Sequence, residues 1–218
     1  MFRAAVASAV AFLAVSVAVV EGAFCRVDQW ALDHVMPWLT PVTHAQTLES
    51  IVVPFHEWTP DGEIPLALWT YPASVPVSAL LLALGCALLW RRGLRAAAVA
   101  WAAAWIVGDA VEVLGKGLLD RPTLHMTWHG VRAALPGFDD SYPSGHTLRG
   151  LLVAAVVGTV WPRARLAAAI WAAATCVVLV VTSAHTPSDV LGGALLAAAL
   201  ALPAVQLGRA REAAPVRR

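Results

Sequence analysis

SYPSGHTLRG, residues 141–150, opens a long apolar run with a helix start, a histidine and an arginine that a greasy helix does not need for packing. Pro143 suits the first turn of a helix, Ser144 an N-terminal position, and Gly145 lets another group approach the backbone closely. The free N–H groups of such a terminus and the positive end of the helix dipole together favour an anion, phosphate above all. His146 would stand beside that anion, ready to give or take a proton. Arg149, three residues on, shares its face about 4.5 Å deeper along the axis. A charged arginine at that depth is costly and should face a bundle interior with a partner.

The rest of the chain supplies that bundle. Of 218 residues, 59% are hydrophobic and 13% charged, with a mean hydropathy of +0.70, too little charge for an ordinary soluble domain. A span needs roughly 20 apolar residues to cross about 30 Å of hydrocarbon. Six stretches qualify, near 2–20, 66–90, 94–114, 148–161, 166–183 and 190–207, the fourth starting nearer Ser144. The fold class expected is therefore all-α, an integral membrane six-helix bundle. Arg3, Arg91, Arg92, Arg95, Arg163, Arg165, Arg209, Arg211, Arg217 and Arg218 gather on one side of it. The positive-inside rule makes that side, with both termini, cytoplasmic. The run from Arg3 to Val20 also has the look of a cleaved signal, but it is long for one and the topology needs it as a span. The expected organisation is a single membrane domain: 1–23 as first span or signal anchor, 24–63 as an interfacial cap, 64–208 as a five-span core, and 209–218 as a basic tail. Trp30, Trp38 and Trp58 suit a cap lying at the interface. Cys25, Cys86 and Cys176 are far apart and suggest neither disulfides nor a zinc cluster.

All seven histidines fall in or beside the three outer segments. There Lys116, the only lysine, ends the third span, and HTPSDVLGG, residues 185–193, enters the sixth. Lys116 can meet an anion of the headgroup layer. Asp189, four residues after His185, can hold one ring nitrogen and make the other a better nucleophile. Either fragment alone is a common helix start. Together, on one membrane face after Lys116, they read as phosphoryl transfer through a phosphohistidine. Asp109 and Glu112, at helical spacing below Lys116, are expected to neutralise Arg149 or Lys116 within the bundle. His125 and His129 have the spacing of a metal pair on a helix but lack a third ligand, and are expected to line the loop over the site and touch a headgroup, or simply to face solvent.

With these motifs the chain resembles the type-2 phosphatidic acid phosphatase family, whose relatives include lipid phosphate phosphatases and vanadium haloperoxidases. The resemblance covers roughly 94–207, with YPSGHT and HTPSDVLGG as its specific parts. It implies that Lys116, Ser144 and Gly145 hold phosphate, that His146 protonates the leaving oxygen, that His185 attacks phosphorus and that Asp189 orients His185. It also implies no metal and no cofactor, with water hydrolysing the intermediate. The family pattern carries arginines where this chain has Thr123 and Leu179. Since stabilising the charge of the transferring phosphoryl group is most of the catalysis, a replacement is expected, either Arg149 or Arg121, which lies two residues early in its own Arg-Pro pair.

The expected activity is a lipid phosphate or diphosphate phosphatase of a bacterial plasma membrane, acting on the extracytoplasmic side. Polyprenyl phosphate, polyprenyl diphosphate, phosphatidic acid and phosphatidylglycerophosphate are all open as substrates. A lipid phosphotransferase with the same intermediate and a catalytically silent lipid-phosphate binder are the alternatives. The partner expected is a lipid phosphate, not a nucleic acid, and the oligomeric state is open.

Overall fold

The computed structural model describes residues 1–35, 69–128, 131–182 and 184–210. Trp38, Trp58, His129 and most of the expected cap and tail lie outside them. Helix α1 covers Phe2–Val20 and α2 Cys25–His34. After a turn at Tyr71–Ala73 come α3, Val75–Arg91, and α4, Arg95–Leu118. A small hairpin follows, β1 His125–Trp128 antiparallel to β2 Val131–Ala134, with His125 opposite Ala134. Helices α5, Gly145–Val160, α6, Arg165–Val181, and α7, Pro187–Ala210, complete the order.

Six of these helices fall on the six apolar stretches. Four are long and apolar enough to cross a bilayer, counting α6 from Pro162, whereas α3 and α5 are shorter. At 1.5 Å per residue the sixteen residues of α5 span about 24 Å. Large apolar side chains such as Leu13, Leu80, Ile106, Val113 and Leu166 point outward, as a lipid-facing surface requires. The elements of the described residues are helical, as expected, apart from this small hairpin. The polar Gln29 of α2 fixes its edge, donating to the His125 carbonyl at 2.6 Å and accepting from the His125 N–H at 3.0 Å. His125 lies on a strand and not on a helix, while His129 lies outside the described residues.

Helix α5 is the hub. It packs against α3, α4, α6 and α7, while α1 lies along α7. Leu148, Leu152 and Val156 are fully or almost fully buried along its length. At one end Arg92 Nη1 donates to the Val160 carbonyl at 2.7 Å, satisfying an orphan acceptor of the last turn. That gathers the C-terminus of α5 with the arginine-rich junction of α3 and α4. The opposite end holds both sequence motifs.

Small residues let the motifs meet. A Cβ on Gly193 would lie 2.4 Å from the Ser144 carbonyl oxygen, and one on Gly192 would lie 2.4 Å from the Tyr142 ring. Tyr142 is itself fully buried, stacked on Phe12 with its hydroxyl 3.0 Å from Ser16 Oγ, so it ties α1 to this end. Gly193→Ala therefore drives a methyl into backbone that cannot swing aside, and should cost about 1–3 kcal/mol, the usual penalty of overpacking. The check is a fall of several degrees in melting temperature in detergent. Gly117→Ala, where nothing lies within 4 Å of the added Cβ, is the control and should be neutral or slightly stabilising.

Candidate active site

The start of α5 is built as its residues dictate. Ser144 is the N-cap, its backbone extended and its hydroxyl accepting from the Thr147 N–H at 3.2 Å. Its own N–H donates to the Asp189 carbonyl at 3.0 Å, which joins the two motifs directly. Ser144 is fully buried. Its oxygen is thus used in the cap, and what the terminus offers an anion is backbone.

An anion already sits there. A Cβ on Gly145 would fall 1.9–2.2 Å from the carboxylate atoms of Glu112, so that carboxylate rests directly against the Gly145 backbone. Lys116 Nζ donates to Glu112 Oε1 at 2.8 Å, and Arg149 Nη1 pairs with Glu112 Oε2. The same guanidinium reaches Asp109 Oδ1 at 3.0 Å and, through Nε, the Ala73 carbonyl at 2.9 Å. Lys116, Gly145 and Arg149 therefore converge on one carboxylate, and the expected neutralising role of Asp109 and Glu112 is what the geometry displays. Arg149 is 3% exposed, so its charge is held by these partners and not by water.

The second motif lies beside the first. The His146 and His185 ring centroids are 6.4 Å apart and tilted by 53°. His185 Nδ1 is 3.5 Å from Asp189 Oδ2, an ion-pair distance longer than a good hydrogen bond. Asp189 is fully buried and well satisfied: Oδ2 accepts from Ser141 Oγ at 2.8 Å and from the Thr186 N–H at 2.9 Å, and Oδ1 from Arg121 Nη1 at 2.9 Å. Burial pushes the Tyr142 phenol just before the motif up to about 12, so it remains a neutral donor throughout the working range.

Arg121 occupies a different position from the one sequence reasoning gave it. Its two terminal nitrogens are committed to carboxylates, Nη1 to Asp189 and Nη2 to Asp28 of α2, and its side chain is 1% exposed. With both terminal nitrogens on buried acids, the guanidinium is bound to the carboxylate that lies next to His185. Asp28 was not anticipated at all. Its signal in the sequence was an aspartate in register with Ala31 and Leu32, the buried face of α2. Ser141 and Ser188, which also bind these carboxylates, carried no signal beyond their nearness to the motifs.

Comparison with known proteins bears on most of the chain. A family model described as the PAP2 superfamily matches residues 40–213. The chain belongs to the PAP2 superfamily. Among solved structures the chain is similar to one described as the first transmembrane PAP2-type phosphatidylglycerolphosphate phosphatase from Bacillus subtilis, with a TM-score of 0.61, 15% identity and all of both chains covered. At that identity the likeness speaks for the fold. No curated protein matches significantly. With its apolar helices and this fold, the PAP2 chain is a multi-pass membrane protein. Its α1 and α2 precede the stretch that the family model matches.

Proposed function

We propose that this PAP2 protein is a phosphatase of a lipid phosphate or diphosphate, working from the extracytoplasmic side of the plasma membrane through a phosphohistidine. The observation that carries the reading is the anion seat: the α5 N-terminus, Lys116 and Arg149 hold a carboxylate beside a pair of histidines. A seat that holds a carboxylate is equally suited to a phosphate. In the proposed reaction the phosphate displaces Glu112 from Gly145 and the two cations. His185 attacks phosphorus through Nε2, while Asp189 accepts from Nδ1–H and stabilises the imidazolium as it forms. His146 gives its proton to the departing oxygen. Water then attacks the phosphohistidine, His146 takes the water's proton, and inorganic phosphate leaves. Every step uses side chains of this chain, so the proposed reaction runs without metal. The proposed topology has six spans with both termini cytoplasmic, supported by the arginines at the α3–α4 and α5–α6 junctions and by Arg209, at the ends remote from the histidines.

The test is phosphate release by purified protein in detergent, with chelator present, from a panel of phosphatidic acid, phosphatidylglycerophosphate, polyprenyl phosphate and polyprenyl diphosphate. Turnover of at least one is expected. A folded protein inert on all four while binding them would overturn the phosphatase reading.

The seat also yields a sharper expectation. Glu112→Gln removes the internal competitor but leaves Asp109 to hold Arg149. Inorganic phosphate should then inhibit more strongly, with an inhibition constant lower by about 10-fold, the equivalent of one charge-assisted hydrogen-bond competition. An unchanged constant would show that Glu112 does not compete for the seat.

A further inference from the structure

Helix α2 lies before the stretch that carries the family resemblance, yet it sends one charged side chain into the interior. Asp28 is fully buried. Its Oδ1 accepts from the Ser188 N–H at 3.0 Å, and its Oδ2 from Ser188 Oγ at 2.6 Å and from Arg121 Nη2. Ser188 is the second residue of α7, so Asp28 satisfies one of the free N–H groups at that helix start and places a negative charge at the positive end of its dipole. The next residue is Asp189. Arg121 links the two acids, with Nη2 on Asp28 and Nη1 on Asp189 Oδ1, leaving Asp189 Oδ2 as the oxygen that faces His185.

We infer that Asp28 is a positioning residue for the nucleophile, acting through Arg121 and Ser188 on Asp189 and so on His185. The inference rests on the phosphohistidine reading above and adds to it a residue from outside the matched motifs. The physical need is clear from the charges. A guanidinium bound to Asp189 alone would draw its carboxylate away from His185 and neutralise it. Asp28 takes half of that fork, so the trio keeps one net negative charge next to the imidazole. It also fixes the first turn of α7, on which Asp189 is carried. Asparagine cannot replace it, because an amide has one acceptor oxygen where Asp28 uses two.

The experiment compares wild type, Asp28→Asn and Ser188→Ala as full chains in detergent micelles, using dioctanoyl phosphatidic acid as substrate and inorganic phosphate as seat probe. Asp28→Asn should lower kcat by roughly 10- to 100-fold, the scale of a small misplacement of a reacting group. KM and the phosphate inhibition constant should hold within about 3-fold, since Lys116 and Arg149 are untouched. Ser188→Ala, which removes one donor to Asp28 and leaves no charge unpaired, should move kcat in the same direction by less. A parallel measurement needs no turnover. In protein labelled with 15N-histidine, the His185 ring resonances, assigned by their loss in His185→Ala, should shift in Asp28→Asn and in Ser188→Ala. Unchanged resonances in the folded variants overturn the inference, whether or not wild type hydrolyses this lipid. Wild type inert across the four-lipid panel, with shifted resonances, would count against the phosphatase reading alone. A loss of kcat matched by an equal weakening of phosphate inhibition would make Asp28 a structural residue only, and would also overturn the inference.

Discussion

His185→Ala should abolish phosphate release, with turnover at least about 10⁴-fold below wild type, because in the proposed reaction it removes the atom that bonds to phosphorus. The substitution is a mild one for the fold. His185 lies in the turn before α7, its backbone N–H bonded to the Leu179 carbonyl, and the ring's neighbour Asp189 keeps Ser141, Thr186 and Arg121 as partners. Loss of activity in a protein that still melts cooperatively is then a statement about chemistry. The decisive measurement is single-turnover trapping at alkaline pH, where phosphohistidine is stable. Wild type should carry labelled phosphate and His185→Ala none. Since the two rings are 6.4 Å apart and either could face phosphorus, His146→Ala in the same experiment separates their roles. It should still label with a substrate whose leaving group needs no proton. Labelling of His185→Ala at the wild-type level would move the nucleophile elsewhere.

Arg149→Leu is expected to have the next largest effect, a loss of roughly 10³-fold or more in turnover, the scale on which a single arginine stabilises a transferring phosphoryl group. The family pattern that the chain resembles implies arginines at Thr123 and Leu179. Leu179 is a buried apolar residue, and Arg121 is occupied by Asp28 and Asp189. Arg149 is the arginine that shares an anion with Lys116 at the α5 N-terminus. Leucine there also strands Asp109 and leaves Glu112 with Lys116 alone, and breaking a buried pair in this way typically costs about 3–5 kcal/mol. Stability and catalysis must therefore be separated. Arg149→Lys keeps the charge and loses the planar fork, so it should fold near normally yet remain slower by about 10- to 100-fold, with phosphate inhibition weakened in step. Wild-type turnover in folded Arg149→Leu would end the idea that this side chain replaces a missing arginine.

The legible part of this protein was local. Apolar runs of the right length gave six helices, with ends shifted by a few residues except at α3, which starts at Val75 and not near Leu66. The capping chemistry of Ser144 could be read because an N-cap bonds within its own turn. The two histidine motifs could be read because spacing along one helix start fixes which side chains are neighbours, and they carried the family with them. The hairpin at 125–134 was missed, since its strands are four residues each and too short to show a period.

Pairing between helices was not legible, and it sets which charges meet. Sequence spacing put Glu112 one turn from Lys116, but only the packing of α4 on α5 brings its carboxylate onto Gly145 and Arg149. Both Arg121 and Arg149 looked able to serve a phosphate. The fold gives Arg121 to Asp28 and Asp189, and leaves Arg149 at the seat. Asp28 comes from a helix more than ninety residues before its partner Arg121. Sequence by itself determined the membrane helices, the two motifs and the family, because hydropathy and capping depend on near neighbours. Tertiary structure alone decided which charge answers which, because a buried ion takes whatever opposite charge the helix packing delivers, and no local pattern encodes that choice.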